Sequence, residues 1–171
     1  MLCGLLYTAV PFKLSYRGMG EIVIFAAFGP LVVAGSFVCQ TGRFEIFPLL
    51  VSVPAGLMVL SILLVNEVLD VGWDRKAGKR TLVVILGKKR GYLLFLVTYL
   101  AAHAWIAIGV PLRIYPVTAL VALVPMGVFL PMLAPRRALA GRAATINASR
   151  LTILTHNIGA SLLAVSYLAP W

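Results

Sequence analysis

Near-continuous apolar runs of about 20 residues recur along the chain, at 21–39, 46–65, 92–110, 114–133 and 151–169. As a helix, each is long enough to cross a bilayer core of about 30 Å. A backbone in lipid must satisfy its own hydrogen bonds, and a run of this length does so as a helix. Composition agrees. Hydrophobic residues make up 61% of the chain and charged residues 12%, against about 25% charged in an ordinary soluble domain. The expected fold is all-α: a polytopic transmembrane bundle of about five spanning helices, forming one domain over residues 1–171. No gap between runs has room for a soluble domain, and no segment is low in complexity.

The N-terminal stretch MLCGLLYTAVPFKLSYRG loses its apolar character at Pro11 and has no basic residue ahead of the apolar part, so it does not fit a signal peptide. It is too short to span and reads as an interfacial segment or as the last turns of a helix begun upstream. Cys3 and Cys39 match no metal or redox spacing and read as buried packing residues. The net charge of +10 would suit nucleic acid, but its placement points to membrane topology. Thirteen of the fifteen Lys and Arg residues lie before the first run, between the second and third, or between the fourth and fifth; Arg43 and Arg113 are the exceptions. By the positive-inside rule the N-terminus and the loop after the second run face the cytoplasm, and Ala169, Pro170 and Trp171 lie outside.

Three of the five carboxylates, Glu67, Asp70 and Asp74, fall within eight residues, just past the uncharged run Ile46 to Val65, in NEVLDVGWDRKAGKRTL. Asn66, Asp70 and Asp74 are four residues apart, so a helix continuing through them stacks their side chains on one face, with Glu67 one residue round. Like charges at that spacing destabilise a helix by roughly 0.2–0.5 kcal/mol per pair, and a cation would relieve them. Hard oxygen donors favour Mg2+ or Mn2+ over zinc. Lys79 and Arg80 follow directly. Acids and bases together at a lipid boundary describe a metal-bridged phosphate or diphosphate on a lipid-like substrate, with the bases neutralising charge on the leaving group. An allylic diphosphate would leave a delocalised cation that an electron-rich aromatic ring can capture.

The structural alternative makes Asp70 and Asp74 loop charges paired with Arg75 and Lys79. Gly72 and the Ala77-Gly78 pair suit either a loop against a ligand or a helix end. Lys88, Lys89 and Arg90 read as a topological anchor, and Arg136, Arg137, Arg142 and Arg150 as a solvated cytoplasmic face. His103 and His156, inside apolar runs, read as helix–helix hydrogen-bonding groups ahead of catalytic ones. Pro30, Pro54 and Pro125 would kink their helices.

Taken together, these residues resemble the UbiA superfamily of membrane prenyltransferases, and within it the MenA-type 1,4-dihydroxy-2-naphthoate branch. NEVLDVGWDRKAGKRTLVVILGKKRG is similar to that family's second Asp-rich motif with its basic pair and GKRTL tail. YTAVPFKLSYRGMGE with the later QTG resembles the segment between the fourth and fifth helices, and RLTILTHNIGASLLAVSYL the last helix. The resemblance implies a helical bundle in a prokaryotic plasma membrane, with a central cavity, Mg2+ at its cytoplasmic mouth, and polyprenyl diphosphate and aromatic acid substrates. It implies Asp70 and Asp74 as metal ligands with Asn66 and Glu67 in support, Lys79 and Arg80 on the diphosphate, and Arg17 also reaching it. Tyr7 would present an aromatic face to the allylic cation, or alternatively act as an interfacial anchor.

The family's first motif, N-x-x-x-D-x-x-x-D, has no counterpart, because Asp70 and Asp74 are the chain's only aspartates. The resemblance thus covers the C-terminal part of the family pattern and implies that Met1 is internal to a longer chain, or that the chain is a remnant. The competing class is a non-catalytic membrane subunit that folds against a separate N-terminal half. An ion pathway is disfavoured by acids at a boundary beside repelling bases. The D-x-x-D-G-x-x-A-R signature of CDP-alcohol phosphotransferases is absent.

Overall fold

The computed structural model describes Tyr7, Pro11 and residues 13–168; Cys3 and Ala169 to Trp171 lie outside them. After a short turn at Leu14–Tyr16, seven helical segments follow: α1 (Gly20–Thr41), α2 (Phe47–Lys76), α3 (Leu82–Leu86), α4 (Lys88–Gly109), α5 (Val117–Leu133), α6 (Pro135–Ala138) and α7 (Arg142–Ser166). Helices α1, α2 and α4 are long and apolar enough to cross a membrane. The fourth expected span is the segmented α5, whose six-residue α-helix is flanked by 3-10 turns. Most of the fifth lies in α7, which begins well before residue 151, ends at Ser166 and carries Arg142 and Arg150.

Helix α2 sits at the centre, packed on α1, α3, α4 and α7. Pro48 in its first turn needs no amide partner there. Pro54 lies deeper and offers no N–H to the carbonyl of Leu50, a loss that lipid cannot repair. The neighbouring helix repairs it: Trp105 Nε1 on α4 donates to Leu50 O at 3.0 Å. The Tyr115 hydroxyl donates to Val51 O at 2.9 Å. With these carbonyls satisfied, α2 continues for 30 residues, through Asn66, Asp70 and Asp74. Arg75 and Lys76 in its last turn complement the negative end of its dipole. It closes at Gly78, whose φ of 73° suits a residue without a Cβ. The motif's acids are therefore helical, and the Ala77-Gly78 pair is a helix end.

Close approach fixes how α1 lies on α2. A Cβ on Gly56 would stand 2.7 Å from the Phe25 carbonyl oxygen, and one on Gly29 would stand 2.9 Å from Gly56 Cα. Beside this crossing, Pro30 sits in a π-helical turn, Ala27–Leu31, a common consequence of a missing amide within a helix. Helix α4 packs its aromatic stripe of Tyr92, Phe95 and Tyr99 in the core. Tyr92 donates to Leu133 O at 2.8 Å, and Tyr99 to Thr155 Oγ1 on α7 at 3.2 Å, so each buried hydroxyl also ties α4 to a neighbour.

Two sequence expectations change. Cys39 is exposed, because apolar composition does not separate a core-facing position from a lipid-facing one. His103 Nδ1 hydrogen-bonds Tyr99 O of its own helix at 2.7 Å, not a neighbouring helix. It lines a small cavity of about 50 Å3 with His156, Pro54 and Thr155.

Contacts at Gly56 and open space at Gly35 predict opposite outcomes for the same substitution. Alanine is a better helix former than glycine by about 1 kcal/mol. Gly35→Ala, with no atom in its way, should raise the thermal unfolding temperature in detergent. Gly56→Ala, whose methyl meets backbone, should lower it.

Candidate functional site

Where α2 leaves the apolar zone, a cavity of about 150 Å3 forms between it, the N-terminal segment and the loop leading to α3. Helix α2 supplies Asn66, Glu67, Asp70 and Asp74, the loop supplies Lys79 and Thr81, and Tyr7 and Ser15 close the remaining side. Six of the eight residues singled out in the sequence thus share one small space.

Asp74 is 8% exposed and its Oδ1 accepts from Lys79 Nζ at 2.8 Å. Lys79 is bound to the same residue through the backbone, its N–H donating to Asp74 O at 2.9 Å. The hydrogen bond to Asp74 holds the Lys79 ammonium above its usual pKa, so it remains a cation at neutral pH. Of the pairings weighed from sequence, Asp74 with Lys79 is the one formed. Asp70 stands exposed at the rim, one turn up the helix. Asn66 is fixed from across the bundle, where Ser149 Oγ on α7 donates to its Oδ1 at 2.7 Å. Glu67 is 8% exposed, and its Oε2 has no hydrogen-bond partner among the described residues. A buried carboxylate oxygen without a donor is costly and marks a place where a proton or cation would be welcome.

Tyr7 is half-buried, with Ser15 Oγ donating to its carbonyl at 2.8 Å. Its ring lies so close to the start of α1 that a Cβ on Gly20 would be 3.2 Å from Tyr7 Cε2. Burial foremost, then the negative charges of Glu67 and Glu21, push its phenol above the ordinary value of 10.0, so it stays neutral and cannot serve as an anion at physiological pH. The two arginines sit elsewhere. Arg80 is exposed and does not line the cavity. Arg17 is also exposed, with Nη2 donating to Pro11 O at 3.1 Å.

Sequence reasoning passed over Ser149, Thr81 and Glu21. Ser149 is 83 residues from Asn66, and nothing local marks it. Glu21 carried only a weak signal, a lone acid at the start of an apolar run, where the aspartates stood out as a cluster.

The chain matches the model of the UbiA prenyltransferase family over residues 1–151. It belongs to that family. Among curated UbiA relatives it is 36% identical to UbiA prenyltransferase domain-containing protein 1 of Dictyostelium discoideum, over 58% of this chain and 30% of that protein. It is 31% identical to the 1,4-dihydroxy-2-naphthoate octaprenyltransferase of Bacillus subtilis, over 62% and 34%. It is 34% identical to the 2-carboxy-1,4-naphthoquinone phytyltransferase of Synechocystis sp., over 63% and 35%. The chain thus spans about a third of the length of these relatives. No solved structure matches it significantly.

The Ser149–Asn66 bond predicts a measurable coupling between α7 and the acidic ladder. Ser149→Ala should lower unfolding free energy in detergent by about 1 kcal/mol. Added to Asn66→Ala it should cost little more, because the bond is already gone.

Proposed function

We propose that this chain supplies one carboxylate-bearing half of the active site of a Mg2+-dependent prenyltransferase, which moves a prenyl group from a polyprenyl diphosphate to an aromatic acid. The observation that carries the reading is the convergence of Asn66, Glu67, Asp70 and Asp74 with the Lys79 ammonium in one cavity at the end of a membrane helix. The 1,4-dihydroxy-2-naphthoate named for the Bacillus subtilis relative and the 2-carboxy-1,4-naphthoquinone named for the Synechocystis relative support 1,4-dihydroxy-2-naphthoate as the acceptor and quinone biosynthesis as the setting. The clustering of basic residues supports a cytoplasmic mouth for the cavity.

The residues present fit a hard divalent cation. All the available donors are oxygens, and Glu67 Oε2 has no competing partner among the described residues. Asp70 and Asp74 would hold the ion, with Asn66 and Glu67 in support. Among the described residues no three Asp, Glu, His or Cys side chains form a ready-made cage. That suits Mg2+, which is usually held by one or two carboxylates, with water and substrate oxygens completing its shell. Bound there, Mg2+ would neutralise charge on the diphosphate oxygens.

The protein's own groups divide the remaining work. Lys79 places a fixed positive charge against the diphosphate oxygens, pairing with them alike in the bound donor and in the group that leaves with the electron pair of the broken C–O bond. Tyr7, a neutral phenol with its ring at the cavity wall, offers a π face to the allylic cation. The acceptor ring then forms the new C–C bond. On a naphthoate acceptor the displaced carboxylate departs as CO2, and its electron pair restores aromaticity. Arg80 and Arg17, outside the cavity, would reach diphosphate only by moving.

Asp70→Ala in the native full-length protein should lower kcat for prenyl transfer by about 100-fold or more. Activity removed by chelation should return with Mg2+ and less fully with Zn2+. Undiminished transfer by Asp70→Ala would remove Asp70 from the site.

A further inference from the structure

The loop that carries Lys79 is not held by the acidic helix alone. Between the end of α2 and the start of α3, successive backbone amides go to different anchors. Lys79 N–H donates to Asp74 O at 2.9 Å and Arg80 N–H to Tyr16 O at 3.2 Å. Leu82 N–H donates to the carboxylate of Glu21 at 2.6 Å, across 61 residues of sequence. The Thr81 side chain caps α3 by accepting from Val84 N–H at 3.2 Å, so the amide of Leu82 depends on Glu21 for its partner.

The segment from Tyr16 to Glu21 is shaped to receive this loop. Gly18 has a φ of 73°, and a Cβ there would stand 3.0 Å from the Arg80 carbonyl oxygen. Lys79 Nζ lies 6.0 Å from the centre of the Tyr16 ring. Glu21 itself is 3% exposed, and its second oxygen, Oε2, has no partner among the described residues. A surface acid would gain little from such a bond. Burying a carboxylate this fully is costly, and what it secures here is the backbone three residues beyond the cavity's lysine.

Resting on the diphosphate-site reading above, we propose that Glu21 is a positioning residue, which fixes the loop 77–82 so that Lys79 meets the diphosphate of the prenyl donor. Glu21 does not line the cavity. It acts through the Leu82 amide, and any acceptor oxygen of the same reach can replace it.

The test uses the native full-length protein in detergent, with a polyprenyl diphosphate as the varied substrate at saturating acceptor. Lys79→Ala should raise KM for the diphosphate about tenfold. Glu21→Leu should raise the same KM by about three- to tenfold with kcat changed less than about twofold, and should speed hydrogen exchange at the amides of residues 80–82. Glu21→Gln, which keeps an acceptor oxygen, should restore both values to within about twofold of wild type. The double variant Glu21→Leu/Lys79→Ala should be no worse than Lys79→Ala alone, because the two act through one contact. Additive losses in the double variant, or unchanged KM in Glu21→Leu despite faster exchange, would overturn the proposal. Unchanged KM in Lys79→Ala would overturn it too, with the fault lying in the diphosphate reading, because the exchange measurement reports the clamp independently of turnover.

Discussion

Everything at the cavity depends on α2 remaining one helix past a proline buried in its apolar half. In water a broken carbonyl pair would cost little, but within lipid it has to be satisfied by protein. The indole of Trp105 does this for Leu50, and the hydroxyl of Tyr115 adds a bond to Val51 O, binding α2 to α4 and to the turn after it. Only because the helical repeat survives to Lys76 do Asn66, Asp70 and Asp74 share a face. The polar end of the molecule is thus registered by hydrogen bonds at its opposite, apolar end.

The same economy of contacts appears where α1 meets α2. Glycine on both sides lets backbone touch backbone at Gly29 and Gly56, the kind of packing that holds helices together where no hydrophobic drive exists between them. This brings the first turn of α1, with Glu21, alongside the loop that follows α2. Small residues in mid-bundle and a carboxylate at its edge therefore serve one arrangement.

Much of this was legible in the sequence, and what was not had physical causes. The apolar runs marked α1, α2 and α4, and the four-residue spacing of Asn66, Asp70 and Asp74 described a ladder that the helix does form. Pro54 was visible as an interruption, but its remedy was not, since Trp105 lies 55 residues away from Leu50. The run 114–133 gave no sign of its breaks, because composition alone does not distinguish a continuous helix from the 3-10 and α pieces of α5. Cys39 was misplaced for a related reason: lipid and protein interior ask for the same side chains. Arg17 and Arg80 are near the cavity in sequence but point elsewhere, which charge clustering does not reveal.

The ion pair between Lys79 and Asp74 ties the cavity's ammonium to one of its three carboxylates. A cation drawn to Asp74 must compete with an ammonium already seated there, and an anion that draws Lys79 away leaves Asp74 exposed to any cation nearby. Occupancy by either charge thereby favours occupancy by the other, and thermodynamic linkage requires that favour to be equal in both directions. At that ion pair, then, a cation and an anion would bind more readily together than either would alone.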